Sequence, residues 1–315
     1  MCGARKNINA TQYQLYKKEP CSGLAYGVGL ITHCLKPVCN LMPSARPATQ
    51  APETELSFEP GTPALSIKVM TVNIHKGFTF FNRKFILHEL RDAVRLVGAD
   101  VVFLQEVSGT HSTHGDKFKN YPQTPHYEFL ADSIWPDFAY GRNAVYTKGH
   151  HGNAVMSKFP ILHYENLDIS MGGPERRGLL HCVLDMPDQG PDVHAICVHL
   201  GLLASHRRQQ IKRLCEMIQR DIPLQAPLVV AGDFNDWRGL AHAQLEQGAG
   251  LREVFMQAHG RSARTFPAQR PVLRLDRIYV RNAEAHAPMV LPRQPWAKLS
   301  DHAPLAAEIM LWAHC

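Results

Sequence analysis

Leu228-Val229-Val230-Ala231-Gly232-Asp233-Phe234-Asn235-Asp236 is the stretch on which the reading of the chain turns. Four apolar residues in a row, bounded by turn formers, suit a short strand covered on both faces. A glycine and an Asp-x-Asn-Asp cluster follow at once, which taken alone is ordinary turn chemistry. The same ending recurs along the chain. Residues 67–74 are apolar and β-branched and run into Asn73, His75, Lys76 and Gly77, and residues 101–104 run into Gln105 and Glu106. Residues 193–199 end in His199, Asp276 stands at the head of the strand predicted over 277–280, and Ser300-Asp301-His302 precedes the last strand, 305–311. Residues 144–146 and 153–157 flank His150 and His151, and the echo Asn143-Ala144-Val145 against Asn153-Ala154-Val155 predicts two arms of a hairpin. Strand ends that repeatedly carry proton- and metal-handling side chains point to one shared site at a sheet edge.

Between the strands, Phe85, Ile86, Leu90, Val94 and Val97 fall near helical spacing, and Gly98 is placed to end a helix over 83–97. A second helix is predicted over 204–220, with Ile211, Leu214, Cys215 and Ile218 on one face. Further strands are expected at 161–169 and 178–186. Consecutive strands with interspersed helices predict two packed sheets flanked by helices. Residues 41–63 carry Pro43, Pro47, Pro52, Pro60 and Pro63 and no hydrophobic period, which reads as an extended linker. The expected organisation is a poorly ordered leader and linker over 1–63 and one domain over 64–315.

Composition narrows the classes. With 315 residues, 45% hydrophobic and 20% charged, the chain is neither disordered nor fibrous. Thirty-four basic against 28 acidic residues, net +6, permits an anionic substrate without naming one. Seventeen of the 18 His lie after residue 61, an enrichment that hints at polyanion handling. No run of apolar residues is long enough for a spanning helix. The apolar stretch 21–35 is broken by Gly23, Gly27, Gly29 and His33 and lacks a clean cleavage site. The expected location is the cytoplasm, with N-terminal export or membrane association as the alternative. Cys182, Cys197 and Cys215 sit in apolar patterns as small buried hydrophobes, and no Cys/His spacing reads as a zinc site.

Taken in order, Asn73, Gln105-Glu106, His199, Gly232-Asp233-Phe234-Asn235, Asp276 and Ser300-Asp301-His302 resemble the signature of the endonuclease/exonuclease/phosphatase superfamily, across residues 67–311. The stretches 151–161 and 273–280 resemble uncharacterised bacterial members. The resemblance implies a four-layer αββα sandwich of the DNase I-like kind. It also implies a metal-dependent phosphodiester hydrolase. In that reading Asn73, Glu106 and Asp301 hold Mg2+ or Mn2+, for which hard oxygen donors are suited. His302 and Asp276 form a dyad, Asp233 orients or deprotonates the attacking water, Asn235 donates to a phosphate oxygen, and His199 stands where the departing oxygen would be protonated. Lys76, Arg142, His151, Asn153 and Arg177 form a second tier of phosphate contacts. Arg207 and Gln210 are expected to brace their helix against the site loop.

The substrate is less fixed than the reaction. His199, and Val107 after Glu106, count against abasic-site repair, and Val230-Ala231-Gly232-Asp233 lacks the Trp usual in inositol phosphatases. A DNase-like endonuclease acting on DNA or RNA is the first expectation, favoured by a basic body. Membrane phospholipid, or another small phosphoester, is the alternative; lipid is suggested by Phe78, Phe80 and Phe81 after Asn73 and by Leu200, Leu202 and Leu203 after His199, although packing beneath a loop is the favoured account of these. A non-catalytic binding module would be expected to lack Glu106, Asp233 or His302, and none is missing. No obligate protein partner is implied.

Overall fold

The computed structural model describes residues 63–312 except 80–83, 119, 133–134 and 188–189. The leader and linker, apart from Pro63, therefore lie outside the described residues, as do Phe80 and Phe81. Twelve strands appear among the described residues: β1 (Pro63–Asn73), β2 (Val101–His111), β3 (Asp137–Tyr146), β4 (Gly149–Ser157), β5 (Ile161–Asp168), β6 (Gly178–Leu184), β7 (Val193–His199), β8 (Leu228–Asp233), β9 (Arg252–Glu253), β10 (Asp276–Arg281), β11 (Glu284–Val290) and β12 (Leu305–Trp312). The helices are α1 (Leu87–Val97), α2 (His114–Lys117), α3 (His126–Ala131), α4 (Ala204–Asp221), α5 (Ala241–Ala249), α6 (Val254–His259) and α7 (Arg293–Trp296).

The strands form two six-stranded mixed sheets, ordered β11-β12-β1-β2-β4-β3 and β5-β6-β7-β8-β10-β9. Because side chains alternate across a strand, each sheet has one face for its partner sheet and one for helices. Ile67, Val69, Phe103 and Val155 of the first sheet meet Leu180, Ala195, Val229 and Ile278 of the second in the central core. The opposite face of the first sheet, with Met70, Val72 and Val102, packs on Leu87, Leu90 and Val94 of α1. In the second sheet Ile196, Val198 and Val230 pack on Ile211, Leu214 and Ile218 of α4 and Leu245 of α5. The result is the four-layer αββα sandwich. Burial of β8 on both faces accounts for its unbroken apolar run, Leu228–Ala231 being almost fully enclosed.

Several boundaries differ from the sequence reading for local reasons. Gly98, at φ 63°, ends α1 as expected. The strand predicted over 101–104 is longer than its apolar run: β2 continues to His111, because the ladder with β4 shifts between Leu104 and Val107 and then resumes. β11 was not anticipated, since its exposed residues show no clean alternation and its pairing with β12 shifts between His286 and Met289. Cys182, Cys197 and Cys215 are buried free thiols. Among the described residues no helix is long and apolar enough to cross a membrane.

Candidate active site

Strand register assembles the site before any side chain is considered. In the second sheet β7 and β8 run parallel with His199 opposite Asp233, and β8 and β10 run antiparallel with Asp276 opposite Asp233. Three chemically active residues thus stand side by side on neighbouring strands. In the first sheet β1 and β2 run parallel with Asn73 opposite Gln105, so Asn73 and Glu106 end at one level. His302 arrives from the turn before β12.

Asp233 is the hub. Its Oδ2 accepts from Asn73 Nδ2 at 3.3 Å and lies 3.5 Å from His199 Nε2 and 3.9 Å from His302 Nε2. Its Oδ1 accepts from the Asn235 backbone N–H at 2.9 Å. Asn73 Nδ2 also donates to Glu106 Oε1 at 3.4 Å, tying the two sheets together through one amide. His302 Nδ1 is hydrogen-bonded to Asp276 Oδ2 at 2.8 Å, and its backbone N–H donates to Ser300 Oγ. Ser300 Oγ in turn donates to the Asn73 carbonyl, which locks the Ser-Asp-His turn onto the end of β1.

Backbone strain concentrates here. Four of the six described non-glycine residues with positive φ, His75, Lys76, Glu106 and Asn235, line this site. Such conformations cost about 1–3 kcal/mol each and persist where the surroundings over-determine them. At Glu106 the strain coincides with the β2 bulge, which turns the carboxylate out of the ladder and towards Asn73. Gly232 has a separate reason: at φ 147° any Cβ would run into the Val198 carbonyl of the adjacent strand.

Electrostatics divides the ionisable groups into distinct states. Burial opposes charge on His302, but Asp276 and Asp233, with the hydrogen bond to Asp276, overcome it and push the imidazole up to about 10. His199 goes the other way. Burial, reinforced by Arg177, lowers it well below an ordinary imidazole despite Glu106, so it is neutral at pH 7. Burial also raises Asp233 above the usual carboxylate range. Burial works against charge on Glu106, but the basic groups that face it, His199, Lys76, His75 and His151, outweigh burial as they protonate at low pH and hold the carboxyl at about 2. With His199 neutral, Lys76, 3.7 Å from Glu106 Oε2, is the nearest standing charge. Burial and Lys76 lower His151 to about 4.

The remaining residues singled out by sequence are placed as follows. Asp301 lies 3.5 Å from His75 Nδ1, and among the described residues the acidic and histidine donors that converge within 4.8 Å are Asp233, Asp276 and His302. Asn235 donates its side-chain amide to the Leu200 carbonyl. Asn153 is fully buried, and its amide donates to the Gly178 and Cys197 carbonyls across the sandwich. Arg177 donates to the Leu200 carbonyl and pairs with Glu175 at 3.0 Å. Arg142 is exposed on β3, its carbonyl accepting from Asn166. Arg207 donates to the Gly201 carbonyl, and Gln210 both accepts from the Gly201 N–H and donates to Ile169. These two therefore brace the loop after His199. Phe78 is buried in an aromatic cluster with Phe85 and Phe118, while Leu202 and Leu203 are each 58% exposed. His75 was missed as a partner of Asp301; its place two residues after Asn73 was the available signal.

The sequence matches the pattern of the Endonuclease/Exonuclease/phosphatase family over residues 70–302. It is 60% identical over 250 residues to the uncharacterized protein YbhP of Escherichia coli K12, covering 79% of this chain and 98% of that one. Among solved structures, the endonuclease/exonuclease/phosphatase from Beutenbergia cavernae superposes with a TM-score of 0.63 at 20% identity, covering 78% of this chain and 72% of that one. TDP2 of D. rerio, complexed with single strand DNA product, gives a TM-score of 0.56 at 18% identity over 78% of this chain and 98% of that one.

Proposed function

Since the chain belongs to the Endonuclease/Exonuclease/phosphatase family, we propose that it is a divalent-metal-dependent phosphodiester hydrolase acting on nucleic acid. The observation that carries this is the convergence of Asn73, Glu106, His199, Asp276 and His302 around Asp233 from both sheets.

Donor chemistry fits Mg2+ or Mn2+ at Glu106 and Asn73: the ionised Glu106 carboxylate and the Asn73 side-chain oxygen, which accepts from the His75 N–H, would leave an octahedral ion most of its waters. Bound there, the ion would offset phosphate charge and acidify a water. Asp301, held by His75, steadies the adjoining turn. The Asp233–Asp276–His302 group holds a proton instead, because the His302 imidazolium is hydrogen-bonded to Asp276 at 2.8 Å and lies 3.9 Å from Asp233.

A phosphodiester anion repels its nucleophile, so hydrolysis needs a proton acceptor for the water, a cation at the phosphate and a proton for the departing oxygen. Asp233, raised by burial, accepts the water proton as the new P–O bond forms. His302, cationic and fixed by Asp276, stabilises the developing charge and protonates the leaving oxygen as the old P–O bond breaks. The proton gained by Asp233 then returns to His302 across 3.9 Å, which restores the site. Neutral His199 donates a hydrogen bond to the phosphoryl group. Lys76 and His151 line the approach to Glu106, while Arg177, Asn153 and Asn235 hold the surrounding backbone.

Nucleic acid is favoured by the net positive charge and by the D. rerio TDP2 relative, whose structure holds a single strand DNA product. Exposed Leu202 and Leu203 beside His199 favour one second reading, a phosphodiester with an apolar tail. The test is purified protein with Mg2+, Mn2+ or EDTA against supercoiled plasmid, single-stranded oligonucleotide and phospholipid vesicles. Metal-dependent cutting of either nucleic acid is expected. Cleavage of vesicle lipid with both nucleic acids intact would replace this reading with the second.

A further inference from the structure

β2, β3 and β4 do not stop at the catalytic residues. β2 runs five residues beyond Glu106, and at about 3.3 Å per residue this carries His111 about 16 Å past it. The β3–β4 turn follows it outward: Ser108 pairs with His151, His111 with Gly149, and the Ser112 N–H donates to the Lys148 carbonyl at 2.9 Å. The three strands make an arm that extends beyond the site, and hydrolysis uses only its base.

Ring faces line the arm in sequence. The Tyr146 ring is 5.9 Å from His151 and 6.1 Å from His111, and His111 stacks on His114 at 3.4 Å, 14° from parallel. Tyr146 is 41% exposed. Beside the row is a cavity of about 360 Å3. Thr110, His111, Ser112, Tyr121, Gln123 and Lys148 line it. Tyr121 is buried, and its hydroxyl has no hydrogen-bond partner among the described residues. Burial, with the charges of Lys148 and Lys117, keeps His111 neutral at pH 7. The exposed Tyr146 ring therefore stands next to a small cavity whose own lining supplies the His111 ring, uncharged donors and the Lys148 ammonium group.

From this arrangement we infer that the arm is a subsite for one nucleotide of a single strand, its base stacked on Tyr146 and His111 and its phosphate held by Lys148. The volume lies near the lower end of ligand pockets, which run from about 300 to 1,000 Å3, and suits one nucleotide. A mixed polar and aromatic lining suits a base better than an acyl chain. The inference rests on the nucleic-acid reading above and adds that the enzyme engages a strand a few nucleotides from the scissile phosphate.

The test is fluorescence anisotropy of fluorescein-labelled octathymidylate with the full chain in EDTA, so that binding is read without turnover, with unlabelled dithymidylate as competitor. Stacking is worth about 1–3 kcal/mol per base. Tyr146→Ala should therefore weaken the octamer about tenfold while changing dithymidylate affinity less than about twofold, and Tyr146→Trp should keep octamer affinity. Lys148→Ala should reduce the slope of log affinity against log salt by about 0.7, the value for one phosphate contact on a single strand. Melting curves show whether each variant is folded. If the octamer binds Tyr146→Ala and Lys148→Ala as tightly as the unaltered chain, the arm is no subsite and the nuclease reading stands without it. If the octamer does not bind while bis-p-nitrophenyl phosphate is hydrolysed, both readings fall. If Tyr146→Ala releases phospholipid vesicles but not the octamer, the arm faces lipid and the inference is overturned.

Discussion

Asp276→Asn removes one negative charge and one charge-assisted hydrogen bond from His302 while leaving the volume of the site nearly unchanged. His302 stands at about 10 against an ordinary 6.5, and the first influence raising it against burial is Asp276, 2.8 Å away. At about 1.4 kcal/mol per pH unit that difference is roughly 5 kcal/mol favouring the cation. Once Asp276 is neutral, burial works against the imidazolium with only Asp233, at 3.9 Å, and the weaker influence of Asp301 to oppose it. His302 then becomes neutral near pH 7. The assay is hydrolysis of bis-p-nitrophenyl phosphate with saturating Mn2+ across pH 5 to 10. The unaltered chain should stay active until His302 deprotonates near 10. In Asp276→Asn the alkaline limb should move below about pH 7, and kcat near neutrality should fall about 100- to 1,000-fold. Stability should respond in the matching direction. A group whose folded pKa is raised contributes fully below its unfolded value, near 6.5, and loses that contribution as pH rises towards 10. The stability gap between the two chains should therefore be widest at about pH 5–6 and narrow above 7. An unmoved alkaline limb with a loss of less than about threefold would refute a catalytic imidazolium held by Asp276.

Three further outcomes follow from other parts of the structure. Glu106→Gln should weaken Mn2+ binding more than about tenfold by isothermal titration calorimetry, with an unchanged circular dichroism spectrum, because the one strongly ionised oxygen ligand is lost. Gly232→Ala should lower unfolding free energy in urea by about 3 kcal/mol or more, since its Cβ meets the Val198 carbonyl. His126 is fully buried beside Phe85 and Tyr121, neither ring nitrogen has a partner among the described residues, and burial lowers it to about 3. A group depressed in the folded state costs stability as pH falls below its unfolded value, so His126→Phe should be favoured at about pH 5 over pH 8 by about 2 kcal/mol in urea titrations.

The sequence was most legible where chemistry coincides with a strand end. β8 and its Gly-Asp-Phe-Asn turn could be read directly, because a strand buried on both faces is apolar throughout and its turn residues are distinctive. Register then followed physically from the fold, and it brought His199, Asp233 and Asp276 abreast. Residues whose partner is a backbone carbonyl were harder. Asn153 and Asn235 offer the same amide whether it meets phosphate or a main-chain oxygen, and only the packing of the two sheets directs them to Gly178, Cys197 and Leu200. Asp301 offers a carboxylate that suits a metal equally well as a histidine partner, and the fold sets it 3.5 Å from His75 Nδ1. The outward run of β2 was hidden because Gln105, Glu106, Ser108 and Gly109 interrupt its apolar pattern, and the bulge at Glu106 has no sequence signature of its own.

The central claim, that one metal-dependent hydrolytic site is built around Asp233 from both sheets, is tested most directly with bis-p-nitrophenyl phosphate and the single variant Asp233→Asn. The expected result is turnover by the unaltered chain with Mn2+ or Mg2+, its abolition by EDTA, and a loss of at least about 100-fold in the variant with its fold intact. Turnover indifferent to EDTA, or a variant within about threefold of the unaltered chain, would contradict it.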